Sequence, residues 1–583
     1  MGKFLFFVFL ATSVNAQYVI RDAEELRDLE KLPQEKVYVN HTGPMVFAGE
    51  YLHYAFYCFN AQSNRLSNIS YVGYVALVNE DREYVLEQKI KLENGLSQGD
   101  FFITTDIPSG NYKLLGYTQW MKNNGLEQVF KDDLVIINPY QVDQRKLMDN
   151  ETATPSIGLE NPMDTSIIQL KFEKKLFSKR EKVVFIIRNY KERLGYGNYT
   201  IKVQRKSEIP VRAAMNAIKF GEDYFNVPNR IEKTVGDSLY LPEQRGELMY
   251  GHIEDRFTGK AIGNATVVIS VPGEEFLLKF ATTDQEGNFY SYLRKEYKEP
   301  TAIVQLKEAR ENTRIQLKPL EKLDVSQLTF DHLSLNPTYA GAIEQRSIHN
   351  QLENQFFSVK PDSVLLGLPV DPFDGGLPET FRLDDYTRFS TFEETLVEIM
   401  NYVGYRKNGK GKDYIRVSQD LETYNEKYND FPAIVLIDGV FVPNHEKIRE
   451  FDARRIETID LIRDQFRLAG EEYQGMLVIK TQDGDFYRTF VPEHGINVPI
   501  NKPLTKKNYY RQKYGDNNSF DRIPDYRELL LWEPHLEVDG NNVELEFFTS
   551  DLTGEFEVTL DGFTSYGKPI SLSKTIGVRE QSD

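Results

Sequence analysis

The chain has 583 residues, which at about 100 to 200 residues per domain predicts three to five domains rather than one single-core enzyme. Its 88 acidic and 70 basic side chains give a formal charge of −18, which excludes nucleic acid as the expected partner. A hydrophobic share of 40% and an aromatic share of 13% exclude an intrinsically disordered chain.

The first sixteen residues have the pattern of a secretory signal peptide. Lys3 supplies the positive charge, an apolar run covers residues 4–11, and Val14 and Ala16 occupy the positions before the cleavage site. We therefore expect residues 1–16 to be removed on export. No later apolar run reaches the roughly 20 residues that a membrane-spanning helix needs. Membrane association is accordingly expected to be indirect, through a partner.

The elements that follow predict a multidomain, mainly β protein. Apolar residues alternate between Gly, Pro and Asn turns, which predicts an Ig-like or macroglobulin-like β-sandwich over 35–140, a second Ig-like sandwich over 165–242 and a smaller one over 246–318. Serial β-sandwiches therefore make up the first half of the chain.

After residue 318 the pattern changes, and residues 319–490 predict an α+β domain. Helical spacing covers 340–357 and 391–403, where Thr391 and Glu394 form a capping box. Strand-like runs at 433–442 and 475–481 enclose a helix-like segment at 456–463. A polar stretch over 491–535 predicts a linker, and 536–580 predict closing β-strands.

Three of these blocks resemble known families. Residues 36–54, 95–121 and 138–140 are similar to the macroglobulin-type MG2 domain of exported Bacteroidota proteins. The block over 246–318 resembles the carboxypeptidase-regulatory-like sandwich, through Gly251, Ile253, Asp255, Thr258 and Gly287 among others.

The α+β block resembles the plug domain of TonB-dependent outer-membrane receptors. The resemblance rests on residues 432–442, 454–464 and 473–481. Such a receptor closes with a barrel of about 22 strands, and the residues after Phe490 are too few to form one. The resemblance therefore implies a plug-like domain without the receptor barrel.

No residue pattern predicts a cofactor or a metal site. Cys58 is the only cysteine and lies in an aromatic, strand-like run, which favours a small buried hydrophobe over a catalytic thiol. The eight histidines form no metal-binding spacing. The oxygen-rich turns at 284–288 and 539–542 are more typical of Asx turns than of calcium sites.

Two catalytic motifs match only in part. Residues 95–99 fit the G-x-S-x-G pattern around Ser97, but a strand follows where a helix is needed, which favours a hairpin turn over a hydrolase. Residues 404–410 fit the beginning of a phosphate-binding loop, but Gly411 follows where Ser or Thr is required. A flexible basic loop between Val403 and Tyr414 is the better interpretation.

The candidate interaction residues lie on loops and on aromatic strands, because loops held by rigid sheets commonly carry binding functions. The Asp438–Gly439 pair also predicts a tight hairpin turn. The candidates are Arg406, Lys407, Lys410 and Lys412 in the basic loop, Asp438 and Gly439 in the turn, and Tyr117 and Trp120 in the first sandwich.

The first functional hypothesis is a non-enzymatic, exported scaffold or binding protein associated with the outer membrane, on its periplasmic or its cell-surface side. It would dock an outer-membrane β-barrel or an envelope transport, assembly or secretion complex through the plug-like domain. The alternative is a carbohydrate- or peptidoglycan-binding envelope protein, which exposure of Trp120 and Tyr117 would favour. A hydrolase would require a base within reach of Ser97.

Overall fold

The structure is a computed structural model. It describes residues 18–144, 147, 162–228, 231–294, 297–308, 310–332, 335–365, 376–409, 411–490, 492, 494–515 and 522–580. The predicted signal peptide and Lys410 lie outside the described residues. The fold is mainly β, and the chain divides into two compact units. The described parts of the large unit are residues 18–244, 322–365 and 503–580, and those of the small unit are 245–321 and 376–502.

The strands are numbered in chain order. Those before residue 245 are β1 (Tyr18–Val19), β2 (Glu35–His41), β3 (Met45–Phe47), β4 (Tyr51–Asn60), β5 (Val72–Asn79), β6 (Tyr84–Lys91), β7 (Leu96–Phe102), β8 (Gly110–Tyr117), β9 (Phe130–Ile137), β10 (Ile168–Phe172), β11 (Leu176–Ser178), β12 (Lys182–Asn189), β13 (Gly197–Arg205) and β14 (Ser238–Leu239). Those from 245 to 365 are β15 (Glu247–Asp255), β16 (Thr266–Val271), β17 (Leu277–Thr282), β18 (Asn288–Leu293), β19 (Thr301–Leu306), β20 (Thr313–Leu317) and β21 (Ser363–Val364).

The remaining strands follow residue 376. They are β22 (Glu379–Arg382), β23 (Val403–Lys407), β24 (Asp413–Val417), β25 (Ile434–Ile437), β26 (Val440–Phe441), β27 (Ile456–Leu468), β28 (Glu471–Thr481), β29 (Gly495–Pro499), β30 (Lys507–Asn508), β31 (Leu529–Val538), β32 (Asn542–Phe548), β33 (Gly554–Thr564) and β34 (Pro569–Arg579). The helices are α1 (Ala23–Glu30), α2 (Ala217–Phe220), α3 (Ala340–Gln355), α4 (Phe392–Ile399) and α5 (Phe486–Thr489). No helix of the described chain combines the length and the apolar character needed to cross a membrane.

The first sandwich of the large unit is built from strands that lie between Glu35 and Ile137. Its sheets have the strand orders β2-β4-β7 and β3-β9-β8-β5-β6. Side chains from both sheets meet in one core that includes Val39, Phe56, Leu77 and Leu114. Cys58 lies fully buried in this core, as the sequence predicts, and burial raises the pKa of its thiol well above the ordinary value.

The second sandwich of the large unit is assembled from two distant parts of the chain. The sequence predicts a separate sandwich over 165–242 and independent closing strands over 536–580. The structure instead combines them, in sheets ordered β10-β12-β32 and β11-β34-β33-β13-β31. Strand β13 pairs with β33 on one side and with β31 on the other. Strands β10 to β13 alone leave these edges unpaired, so the C-terminal strands complete the fold.

The small unit contains a β-sandwich and a five-stranded sheet. The sandwich has the sheets β18-β15-β20 and β17-β16-β19-β29. Strand β29 falls in the predicted linker over 491–535, so that prediction is wrong for this segment: residues 495–499 pair with β19 and lengthen the sheet. The three segments that resemble a receptor plug meet in the five-stranded sheet, whose order is β22-β27-β28-β25-β26.

The segment predicted as helix-like at 456–463 is part of strand β27. A register shift between Ile456 and Thr458 changes the phase of the alternation, so that Ile456 and Ile459 reach the same core. Ile462 contributes to the core on the opposite face. An apolar spacing of three residues therefore arises here from a β-bulge in a strand buried on both faces, and not from a helix.

The boundary predicted at 319 is also corrected. Residues 322–365 belong to the large unit, and only residues 376–490 carry the α+β domain. Helix α3, predicted over 340–357, packs against the first sandwich through Ala342 and Ile343 and through the polar contacts described below. Helix α4 begins after Thr391, where the predicted capping box with Glu394 is present.

Candidate functional site

The basic segment of the small unit forms a β-hairpin rather than the predicted flexible loop. Strands β23 and β24 pair from Val403–Val417 to Lys407–Asp413. The side chains of Ile415 and Val417 are fully buried, whereas Arg406, Lys407 and Lys412 near the turn are exposed. The hairpin therefore has an apolar base and a basic tip.

Two side chains anchor the base of this hairpin. Nδ1 of His445 accepts a hydrogen bond from the backbone N–H of Ile415 at 2.9 Å, and the carbonyl oxygen of His445 accepts one from the Tyr405 hydroxyl at 3.0 Å. Arg449 lies over the Tyr405 ring, 4.5 Å from its centroid, and forms an ion pair with Asp413 at 3.1 Å. The base is thereby fixed while the tip stays accessible.

The basic tip is not neutralised within the small unit. Arg406, Lys407 and Lys412 form no ion pair with any described residue, although Arg406 donates to the carbonyl of Tyr405 at 2.9 Å. In a chain with a formal charge of −18, three unpaired cations on one hairpin form a local positive patch. A partner surface that carries acidic side chains would be complementary to this patch.

Asp438 and Gly439 have a structural role in the same domain. They form the turn between β25 and β26, with φ of 47° and 82°. The buried Asp438 carboxylate accepts from the backbone N–H of Thr481 at 2.8 Å, from its hydroxyl at 2.6 Å and from the N–H of Phe486 at 3.0 Å. This network ties the turn to the end of β28 and to α5, so the pair forms the predicted tight turn and offers no exposed contact.

Tyr117 and Trp120 are buried in the first sandwich, each only 1% exposed. The Trp120 indole N–H donates to the carbonyl of Pro33 at 2.9 Å, and the Tyr117 ring stacks on Tyr74 at 5.4 Å. Neither ring presents a face to solvent. Their burial favours the scaffold hypothesis over a sugar platform at this position.

Ser97 lies within strand β7 and is 1% exposed. Its hydroxyl has no hydrogen-bond partner among the described residues. Nε2 of His535 contacts the carbonyl oxygen of Ser97 at 2.5 Å rather than its hydroxyl. This geometry gives no activated nucleophile.

The large unit contains a cavity of about 230 Å³ that sequence reasoning missed. Its walls come from four separate parts of the chain, namely residues 42–53 of the first sandwich, Gln204 of β13, residues 346–362 around helix α3, and residues 509–532. Six Tyr, Phe or Trp rings line these walls, together with several charged side chains. The rings are the side chains of Tyr51, Phe357, Tyr509, Tyr510, Tyr526 and Trp532.

Several of these rings pack in pairs. The Tyr51 and Phe357 rings stack with centroids 5.5 Å apart, and Phe357 is 47% exposed. His349 stacks on Tyr526 at 4.6 Å with nearly parallel planes. His53 lies edge-on to Tyr509 at 4.9 Å. The cavity is therefore lined by rings whose positions are fixed by their neighbours.

Helix α3 is held in place as one wall of this cavity by polar contacts. The Arg346 guanidinium makes two hydrogen bonds of 2.8 Å to the Glu50 carboxylate. The amides of Asn350 and Asn354 donate to the carbonyls of Ala48 and Gly49 at 3.0 and 2.8 Å. These contacts satisfy backbone oxygens in the turn between β3 and β4, so they fix the helix to the sandwich.

No cluster of His, Cys, Asp or Glu suited to a metal ion occurs among the described residues. At the turn over 284–288, the Asp284 carboxylate accepts from the backbone N–H of Asn288 at 2.7 Å and from its amide at 3.3 Å. This is the geometry of an Asx turn.

No protein-family model matches the chain, and no curated protein matches its sequence. Among solved structures, Salmonella alpha-2-macroglobulin reacted with methylamine aligns with 94% of this chain and 39% of its own, at 8% identity and a TM-score of 0.23. Escherichia coli alpha-2-macroglobulin activated by porcine elastase aligns with 94% and 44%, at 11% identity and 0.24. The Escherichia coli adhesin FdeC aligns with 46% and 58%, at 10% identity and 0.13.

The chain thus spans less than half the length of the two macroglobulins. The sheets of the chain itself form its β-sandwiches.

Proposed function

We propose that the chain is an exported, non-enzymatic binding or scaffold protein of the outer membrane. It docks an outer-membrane β-barrel, or an envelope transport, assembly or secretion complex, through the α+β domain of its small unit. The observation that carries the proposal is the hairpin of β23 and β24, which presents Arg406, Lys407 and Lys412 without ion-pair partners among the described residues.

The geometry of the hairpin supports a docking role. A charged element costs less conformational entropy on binding when its backbone is already held, and His445 and Tyr405 hold the base of this one. Charged rims steer association and select partners of opposite charge. The expected partner surface is therefore acidic, and binding should weaken as salt concentration rises.

The resemblance to a receptor plug supports the choice of partner. The three segments that carry it lie side by side, with β25 parallel and β27 antiparallel to β28. The buried Ser97 hydroxyl has no hydrogen-bond partner among the described residues, which supports the non-enzymatic part of the proposal.

A pull-down from detergent-solubilised envelopes of the source organism tests this function. The bait is the tagged full-length chain, compared with Arg406→Glu/Lys407→Glu/Lys412→Glu and with the control Lys260→Glu/Arg310→Glu/Lys502→Glu. The control residues are also exposed and lie in the same unit, so both variants change the net charge equally.

We expect mass spectrometry to recover a specific outer-membrane β-barrel or envelope complex with the wild type and the control, and to lose it with the hairpin variant. Equal recovery with all three baits would reject the hairpin as the docking element. Recovery of background proteins only, with all three, would reject the docking function itself.

A further inference from the structure

The hydrogen bonds at the two ends of the basic hairpin fix which backbone groups of β23 point outwards. Beyond one end of the ladder, the N–H of Asn408 donates to the Lys412 carbonyl at 2.9 Å. Beyond the other end, the N–H of Ser418 donates to the Tyr402 carbonyl at 2.8 Å. Bonded residues alternate along an antiparallel pair, so the even-numbered residues of β23 bond to β24. Residues 403, 405 and 407 therefore direct their N–H and carbonyl groups away from the hairpin.

The two outer edges of this hairpin differ in their partners. On β24, the carbonyl of Ile415 accepts from the N–H of Ala433 at 3.0 Å, and the Ile415 N–H donates to His445. On β23, no described residue bonds to the N–H of Tyr405 or of Lys407. Within the described chain, β23 pairs with β24 alone. The edge of β23 is therefore open to another strand.

This open edge lies at the surface of the small unit. Arg406 and Lys407 are exposed, and the Arg406 guanidinium donates to the outward carbonyl of Tyr405 at 2.9 Å. Apart from its chain neighbours, the described residues would bring only Nη1 of Arg406, at 3.9 Å, near a Cβ placed on Gly404. A partner strand therefore has to displace one exposed side chain and no core residue.

The charges beside the open edge select its partner. Arg406 and Lys407 are successive residues of a strand, so their side chains point to opposite faces. Opposite charges on neighbouring strands stabilise a sheet, whereas like charges destabilise it. A second copy of this edge would bring cations against cations, which disfavours pairing between two copies of the chain. A strand with two adjacent acidic residues would place one carboxylate beside each cation.

We propose that β23 takes up an acidic, extended segment of the docking partner as an additional β-strand. The backbone groups of Tyr405 and Lys407 supply the hydrogen bonds, and the side chains of Arg406 and Lys407 select the acidic residues. An apolar residue follows opposite Tyr405, because that ring packs against the core of the α+β domain. The inference rests on the proposed docking function and specifies the chemistry of the partner.

Fluorescence polarisation with the full-length chain at low ionic strength tests the proposal. The probe is a fluorescein-labelled peptide, Ser-Glu-Glu-Val-Thr-Val-Ser, and the control peptide has glutamine in place of both glutamates. A further series of acidic peptides carries one N-methylated amide each. An added strand directs alternate N–H groups to the protein and the others away from it, so this series separates strand pairing from attraction between charges alone.

We expect the acidic peptide to bind at one site per chain, and the glutamine peptide to bind at least about tenfold more weakly. N-methylation should weaken binding at least about fivefold at every second position of the paired segment, and less than about twofold at the positions between them.

A matched pair of variants tests the same edge from the side of the protein. Lys407→Pro and Lys407→Ala remove the same charge, but only proline removes the outward N–H. That N–H has no partner in the hairpin, so proline is compatible with the fold of this edge strand. Lys407→Pro should bind the acidic peptide at least about fivefold more weakly than Lys407→Ala does.

Three results would overturn the proposal. The acidic peptide binds the wild type more weakly than about 1 mM, the N-methylated peptides all bind alike, or a folded Lys407→Pro binds as Lys407→Ala does. If Lys407→Pro fails to fold, the N-methylated series on the wild type decides.

The docking function fails separately from strand addition. If the pull-down loses its partner with Arg406→Glu/Lys407→Glu/Lys412→Glu while the N-methylated peptides show no alternation, docking stands and strand addition is rejected. If no bait recovers an envelope partner, the docking function itself is rejected, and the inference that rests on it falls too.

Discussion

The small unit should lose stability in mild acid because of His445. This side chain is 5% exposed, and burial lowers its pKa to about 4 from an ordinary value near 6.5. Its Nδ1 must keep a lone pair to accept from the Ile415 N–H. The His445 side chain therefore binds a proton less readily in the folded state than in the unfolded state.

The sign of the effect follows from this difference. Because the folded pKa is the lower one, the stabilisation is fully present above about pH 6.5 and is lost as the pH falls towards 4. Each unit of pKa difference corresponds to about 1.4 kcal/mol, so the free energy of unfolding should fall by about 2 kcal/mol between pH 7 and pH 5, and by about 3 kcal/mol at the limit.

Urea titrations at pH 7 and pH 5 measure this loss of stability. Hydrogen exchange of peptides from residues 403–481 is the readout, because it reports on the small unit alone. The control is His445→Ala, which is expected to be less stable at pH 7 by about 1 to 3 kcal/mol because the Ile415 N–H loses its acceptor. The variant should also lack the His445 contribution to the pH dependence. If its stability falls between pH 7 and pH 5 as much as that of the wild type, the reasoning about His445 is wrong.

Two further predictions concern the turn at Gly439 and the wall of the cavity. Gly439→Ala should lower the free energy of unfolding by about 2 to 4 kcal/mol, because φ is 82° and the new methyl group would collide with Phe276. The control is Gly470→Ala, where φ is 80° but no atom lies near the new methyl group. In the same urea titration, the control should lose only about 1 to 2 kcal/mol. Arg346→Met should leave the Glu50 carboxylate without its main partner, so the free energy of unfolding should fall by about 2 kcal/mol and hydrogen exchange in helix α3 should become faster. The double variant with Glu50→Gln should regain part of this stability, because the buried charge is removed.

The sequence predicts those features whose signal is local. The capping box at Thr391 needs only one neighbour three residues away, and the Asp438–Gly439 turn needs only the two residues between its strands. The buried position of Cys58 follows from the aromatic run around it. Each of these depends on backbone geometry over a few residues, which the residue types themselves restrict.

Features that depend on distant partners could not be predicted in the same way. Nothing in residues 529–579 indicates that they pair with β10 to β13, since a strand's alternation shows which face is buried but not which strand lies beside it. The sequence places helix α3 in the α+β domain, because the helix comes just before the strands of that domain along the chain. Its neighbour is set by amide contacts to the carbonyls of Ala48 and Gly49 and by the packing of Ala342 and Ile343 on the first sandwich. Hydrophobic periodicity shows that a helix face is buried, but not which element covers it.

The same reasoning explains why the cavity escaped sequence analysis while Trp120 drew attention. In the sequence, Trp120 and Trp532 both sit in apolar runs, and core packing is the reasonable expectation for each. The two tryptophans differ in their hydrogen bonds. The Trp120 N–H donates to the Pro33 carbonyl, whereas the Trp532 N–H has no acceptor among the described residues. A buried indole N–H that has an acceptor contributes to the stability of the core, whereas a buried indole N–H without one lowers it.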